Sequence, residues 1–127
     1  MTIEQRAEEA VKLKQGCNCC QAVLSVLADQ TGLSQEQVFA LGSGFGSGMG
    51  NMEATCGALV GAAMAAGMQL QQGTVRYSRQ LSERFRADCG ATLCKELKGR
   101  DTGIVLCSCD NCVKNAVLAY GDIVGLH

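Results

Sequence analysis

Nine cysteines are the residues of this chain best suited to chemistry, and they fall in four places: "CNCC" (17–20), Cys56, "CGATLC" (89–94) and "CSCDNC" (107–112). An odd number cannot pair completely into disulfides. In a reducing compartment, clustered thiols are more often metal ligands or redox groups than structural crosslinks. Cys109 and Cys112 have the two-residue gap of many zinc and redox sites, but no second pair stands at a zinc-ribbon distance. There is no C-x-x-C-H for covalent haem, and the closely spaced ferredoxin run is missing. The residues alone leave four readings open: a metal–sulfur centre on thiolates, thiol–disulfide exchange, a cysteine-lined helical bundle that binds or stores zinc or copper(I), and ordinary buried cysteines. No acid–base pair or nucleophile–histidine set stands beside them. The one histidine, His127, is the last residue and is expected to fray. An electron carrier or redox module fits this inventory better than a complete enzyme.

The elements that must position these sulfurs are helices. Thr2 with Gln5 resembles a capping box, and Ile3, Ala7, Ala10 and Val11 follow at helical spacing to a stop near Gly16. A second helix fits Asn18 to Gln30, with Gly32 past its end. Ser34 with Gln37 opens a short one through Leu41. "GSGFGSGMGN" (42–50 and beyond) reads as an ordered loop whose glycines allow positive φ or close backbone approach. It lacks the lysine and the preceding strand of a phosphate-binding loop. Gly57, Gly61 and Ala65, like Ala54, Ala58, Ala62 and Ala66, recur every four residues, making a helix that a neighbour can approach closely.

An amphipathic helix is expected at Thr74–Asp88, with Val75, Leu81 and Phe85 inward. Arg76, Tyr77, Arg79, Arg84 and Arg86 form its solvated face, which would also suit an acidic redox partner. A short helix near Thr92–Leu97 and a last one from about Asn111 to Val124 complete the chain, and "GIVLC" (103–107) is the single strand candidate. The expectation is an all-α compact bundle of about five to six helices with a glycine-rich loop, forming one cysteine-rich domain over residues 1–127. Every cysteine-bearing place then sits just before or within the first turn of a helix. Unpaired N–H groups and partial positive charge there favour thiolate, the form that binds metal.

Composition narrows the setting. Aromatic residues are 4% of the chain against 47% hydrophobic residues overall, so the core must be aliphatic, alanine-rich and sulfur-rich. Met49, Met52, Met64 and Met68 read as gap-fillers within it rather than copper ligands. A net charge of −1 gives no reason to expect nucleic acid or an anionic membrane as partner. The N-terminus carries charges throughout instead of an apolar signal core, and the weakly polar run from Cys56 to Leu70 is too short to span a bilayer. A cytoplasmic location with no membrane insertion is the expectation, and the small-residue rows would also permit a homodimer.

"GCNCCQAVL", "GFGSGMGNMEATCGALVGAAMAAG", "LCKELKG" and "CDNCVKNA" occur in that order between Gly16 and Ala116. This pattern resembles the C_GCAxxG_C_C redox-active family, with C-G-A-x-x-G its most specific part. Related sequence is found as the cysteine-bearing domain of split-Soret-type cytochromes, where it is associated with an iron–sulfur centre. The resemblance implies four metal ligands: Cys19, Cys56 in C-G-A-L-V-G, Cys94 in C-K-E-L-x-G, and Cys109, with Cys112 competing for the fourth place. Cys17, Cys20, Cys89, Cys107 and Cys112 are extras to that pattern, and Cys20 is expected to pack as a small core hydrophobe. The cofactor implied is an iron–sulfur cluster, [2Fe–2S] as first choice with zinc as the alternative, serving an unidentified redox partner protein.

Overall fold

The computed structural model describes residues 1–127. Eight α-helical segments follow one another: α1 (Ile3–Leu13), α2 (Cys19–Val26), α3 (Ala28–Thr31), α4 (Gln35–Gly42), α5 (Gly57–Leu70), α6 (Thr74–Cys89), α7 (Cys94–Leu97) and α8 (Cys109–Val124). The fold is all-α. Six helices have eight residues or more, and α3 and α7 are single turns. The strand candidate at 103–107 is irregular chain with Ile104, Val105 and Leu106 exposed. Extended pairing is confined to one antiparallel bridge, Thr55 with Leu93.

Local sequence sets most of the starts. Thr2 with Gln5 and Ser34 with Gln37 form reciprocal capping boxes on α1 and α4, and Asn18 with Gln21 does the same on α2. The helix expected over 18–30 breaks at Leu27 (φ −110°, ψ 11°) into α2 and α3. The break leaves the Val26 carbonyl free, and the Arg6 guanidinium donates to it at 2.7 Å while gripping Asp29 through both carboxylate oxygens. Tertiary contact from α1 thus overrides local helix propensity.

One contiguous core of 30 buried residues runs through the molecule, with α5 packed against α2, α3, α6 and α8. The small-residue row serves that packing. A Cβ at Gly61 would stand 3.1 Å from the Cys20 carbonyl oxygen and 3.3 Å from the Val23 Cβ, so α2 lies against bare backbone. On α6, Leu81 and Phe85 are fully buried, but Val75 is 84% exposed, contrary to the expectation. At about 100° per residue, Val75 lies about 100° round the helix from the middle of the stripe that Leu81 and Phe85 form. Met49 and Met68 are likewise exposed rather than core fillers. The C-terminus is tied down, not frayed: the Ile3 N–H donates to the His127 carbonyl at 2.9 Å.

Candidate metal centre

Four helices begin at one place. Cys19 is the first residue of α2, Cys94 of α7 and Cys109 of α8, while Cys56 is the capping residue of α5. All four sulfur residues line a single cavity of about 80 Å³, together with Lys14, Asn18, Ser47, Met52, Gly57 and Lys98. Cys19, Cys56 and Cys94 are buried and Cys109 half-buried, so Cys109 is the most accessible of the four.

Backbone pairing and the glycine loop fix this meeting. Around the Thr55–Leu93 bridge, the Cys56 N–H donates to the Thr92 carbonyl (2.8 Å) and the Cys94 N–H to the Ala54 carbonyl (3.0 Å). Two cysteines 38 positions apart are thereby set side by side. The loop then closes over them in a wide turn, the Met52 N–H reaching the Ser47 carbonyl at 2.9 Å. Gly48 takes φ +56°, and a Cβ there would stand 2.6 Å from the Cys94 Cβ. Ser47, Met49 and Met52 also hold left-handed φ, a strained run at the cavity wall. Lys95 and Arg100, both paired with Glu53, clamp the turn to α7 and the chain that follows it.

The surroundings favour the anion at two of the four sulfurs. The Cys56 thiol is held down at about 3 by proton sharing from Cys112 and Cys19, against burial, with the Ala58 N–H and the Lys98 charge adding to it. Cys109 is lowered to about 5, first by Cys19 and then, against burial, by Lys98. The other two move the opposite way. Cys19 is pushed up by Cys109 and Cys56 and by burial, and Cys94 by burial first and then the Cys56 charge. Burial would lower the Lys98 ammonium, but the sulfurs of Cys112, Cys109 and Cys56 outweigh it and raise it.

Sulfur contacts do not stop at the cavity. Cys112, one turn into α8, points its thiol at the Cys107 carbonyl 3.8 Å away and is pushed up by its neighbours Cys56 and Cys89 and by burial. Cys89, Cys107 and Cys112 are all buried, and their sulfurs lie within 4.8 Å of one another. Sequence reasoning treated these three as extras, with Cys112 at most an alternative fourth ligand, and missed the cluster. Cys89 also departs from the helix-start rule, since it is the last residue of α6, closed by Gly90 at φ +96°. At that end the helix dipole opposes a thiolate. Side chains compensate: Cys89 is lowered to about 6, chiefly by Cys112 and, after burial has opposed it, by the Asn115 amide, whose Nδ2 lies 3.3 Å away.

The two remaining cysteines are packing residues. Cys20 is fully buried beneath Gly42 and Gly57, its thiol pushed up to about 12 by burial. Cys17 donates to the Leu13 carbonyl at 3.1 Å. Lys14 and Lys98, the two cations of the cavity, were not singled out in the sequence. Lys98 was legible there, because it follows Cys94 by four residues and so shares its side of the chain.

The molecule therefore contains a buried cysteine cluster of a kind that holds soft metals, on a scaffold with no helix long and apolar enough to cross a membrane. Comparison with curated proteins and with solved structures gives no match. A family profile described as "Putative redox-active protein (C_GCAxxG_C_C)" matches residues 17–123, which takes in all nine cysteines and every helix except α1. On that match, the chain belongs to the C_GCAxxG_C_C redox-active family.

Proposed function

We propose that the chain is an electron carrier whose cavity holds an iron–sulfur cluster, [2Fe–2S], on the thiolates of Cys19, Cys56, Cys94 and Cys109. The observation that carries this reading is the convergence of four sulfur-bearing helix starts on one cavity with two lysines. The donor set fits the group, because these four ligands are sulfur and the helix starts supply N–H groups toward anionic sulfur. When bound, the cluster would supply one-electron transfer.

The chain's own residues set the conditions for that transfer. Cys56 and Cys109 are the sulfurs most readily deprotonated, while Cys19 and Cys94 must give up protons when the site fills. Lys98, beside the sulfurs, offsets negative charge that burial would otherwise penalise. Gly48 and the Thr55–Leu93 bridge hold Cys94 and Cys56 in place without side-chain bulk. Half-buried Cys109 gives a partner protein the shortest approach to the site, in keeping with exchange of electrons with a separate redox protein.

A second reading is favoured by one feature. The low thiol range of Cys56, next to protonated Cys19 and Cys112, is also what an attacking thiolate in disulfide exchange requires. Anaerobic purification followed by iron, zinc and acid-labile sulfide analysis separates the two. Iron and sulfide in matched amounts with visible absorption are the expected result. Zinc alone, or a metal-free protein that reversibly loses two thiols on mild oxidation, would overturn the cluster.

A further inference from the structure

We propose that Cys89, Cys107 and Cys112 form a second metal site, adjoining the four-sulfur cavity through the Cys56–Cys112 contact, that takes one thiophilic monovalent ion, Cu(I), in three-coordinate sulfur ligation. Three separate elements deliver the ligands. Cys89 ends α6 and Cys112 lies one turn into α8, and these two helices pack together. Cys107 is held by the segment between α7 and α8, where the Leu106 and Cys107 N–H groups both donate to the Leu97 carbonyl, at 3.0 and 3.3 Å.

Geometry and surroundings choose the ion. With metal–sulfur bonds of about 2.3 Å, three sulfurs around a trigonal ion stand about 4 Å apart. The three sulfurs here are already within 4.8 Å of one another, so side-chain rotation suffices to close the site. Zinc takes four ligands. The three cysteines are 8% exposed or less, which disfavours a water completing a zinc shell. The neighbouring sulfur, Cys56, belongs to the cavity. Soft thiolates without oxygen or nitrogen ligands suit Cu(I), zinc and iron–sulfur clusters, and the lack of a fourth ligand for zinc favours Cu(I) here.

The outer contacts are donors, as a negatively charged thiolate site requires. The Lys98 ammonium is 3.4 Å from the Cys112 sulfur, and the Asn115 amide donates to the Cys89 sulfur. Cys107, at 8% exposed, is the ligand nearest the surface. Filling the site forms three copper–sulfur bonds, releases the thiol protons to solvent and leaves copper as Cu(I), so no oxidant or reductant is consumed.

The test is anaerobic titration of the reduced, metal-free protein with Cu(I) against a chromogenic Cu(I) chelator. A double variant and a quadruple variant are run in parallel, with far-UV circular dichroism to establish folding. The Cys56→Ser/Cys94→Ser protein, which lacks the cavity site and the sulfur beside Cys112, should still bind one Cu(I) with three sulfur neighbours by X-ray absorption. Adding Cys89→Ser and Cys107→Ser to it should cut that affinity by more than about 100-fold, the most that an outer donor alone controls. Adding Asn115→Leu to the double variant instead, which keeps all three ligands, should weaken binding by about 10- to 100-fold. Retention of Cu(I) by the quadruple variant, loss of Cu(I) from the double variant, or tighter binding of zinc than Cu(I) at the three cysteines would each overturn the proposal. Because the first variant has no cavity site, the result is independent of whether that site holds iron.

Discussion

At the scale of single residues, the nine sulfurs divide by surroundings that spacing alone could not reveal. Cys56 caps α5 and faces two other thiols, whereas Cys20 is sealed under glycine backbone. On the proposed iron–sulfur reading, replacing Cys56 by serine should abolish iron binding and the visible spectrum, while Cys20→Ser should leave both largely intact; metal analysis of the two purified variants checks this. Lys98 acts on charge. Its loss in Lys98→Met removes the ammonium nearest the sulfurs, which disfavours the more negative reduced form. The midpoint potential measured by redox titration should fall, and Lys98→Arg should restore most of it. Residue identity at the cavity was legible in the order and neighbours of the four motifs. The trio at 89, 107 and 112 was not, since the gap between Cys89 and Cys107 is closed only when the end of α6 packs on α8.

At the scale of elements, the site is a problem of aligning helix starts. Reciprocal caps at Thr2–Gln5 and Ser34–Gln37 were readable because such a box is local, spanning four residues. The break at Leu27 was not readable, because its cause is Arg6, some 20 residues away in the chain. Val75 misled for another reason: an apolar residue near a helix start matches the composition of a buried face without lying on it. The loop before α5 is the least forgiving element. Gly48→Ala would place a methyl group 2.6 Å from the Cys94 Cβ on a left-handed backbone. Overpacking of this kind costs about 1–3 kcal/mol. Urea unfolding should show that loss, and metal retention should fall with it because Cys94 must move.

At the scale of the whole molecule, α1 and the chain after α2 are joined by one polar link. Arg6 is mostly buried and holds Asp29 at 2.6 and 2.9 Å, which lowers the carboxyl to about 2, first through that hydrogen bond and against burial. A carboxyl depressed on folding stabilises above its unfolded value, near 4, and stops doing so as pH falls through the folded value. Asp29 is 58% exposed, which limits the pair to at most about 1 kcal/mol. Metal-free Asp29→Asn protein should melt several degrees below the parent at pH 7, and the gap should close toward pH 2. Calorimetry at the two pH values measures it. An all-α fold with an alanine- and sulfur-rich core was readable from helical periodicity, missing prolines and scarce aromatics. The packing order of the helices was not, because small residues let α5 accept neighbours on several sides.

The Thr55–Leu93 bridge carries one more consequence. Side chains on extended backbone alternate in direction, so a slip of one place would turn Cys56 or Cys94 outward. Chain length between Ser47 and Cys56 is accordingly rationed to the residue, whereas the exposed stretch from Thr102 to Val105 can absorb an added residue without redirecting a single cavity sulfur.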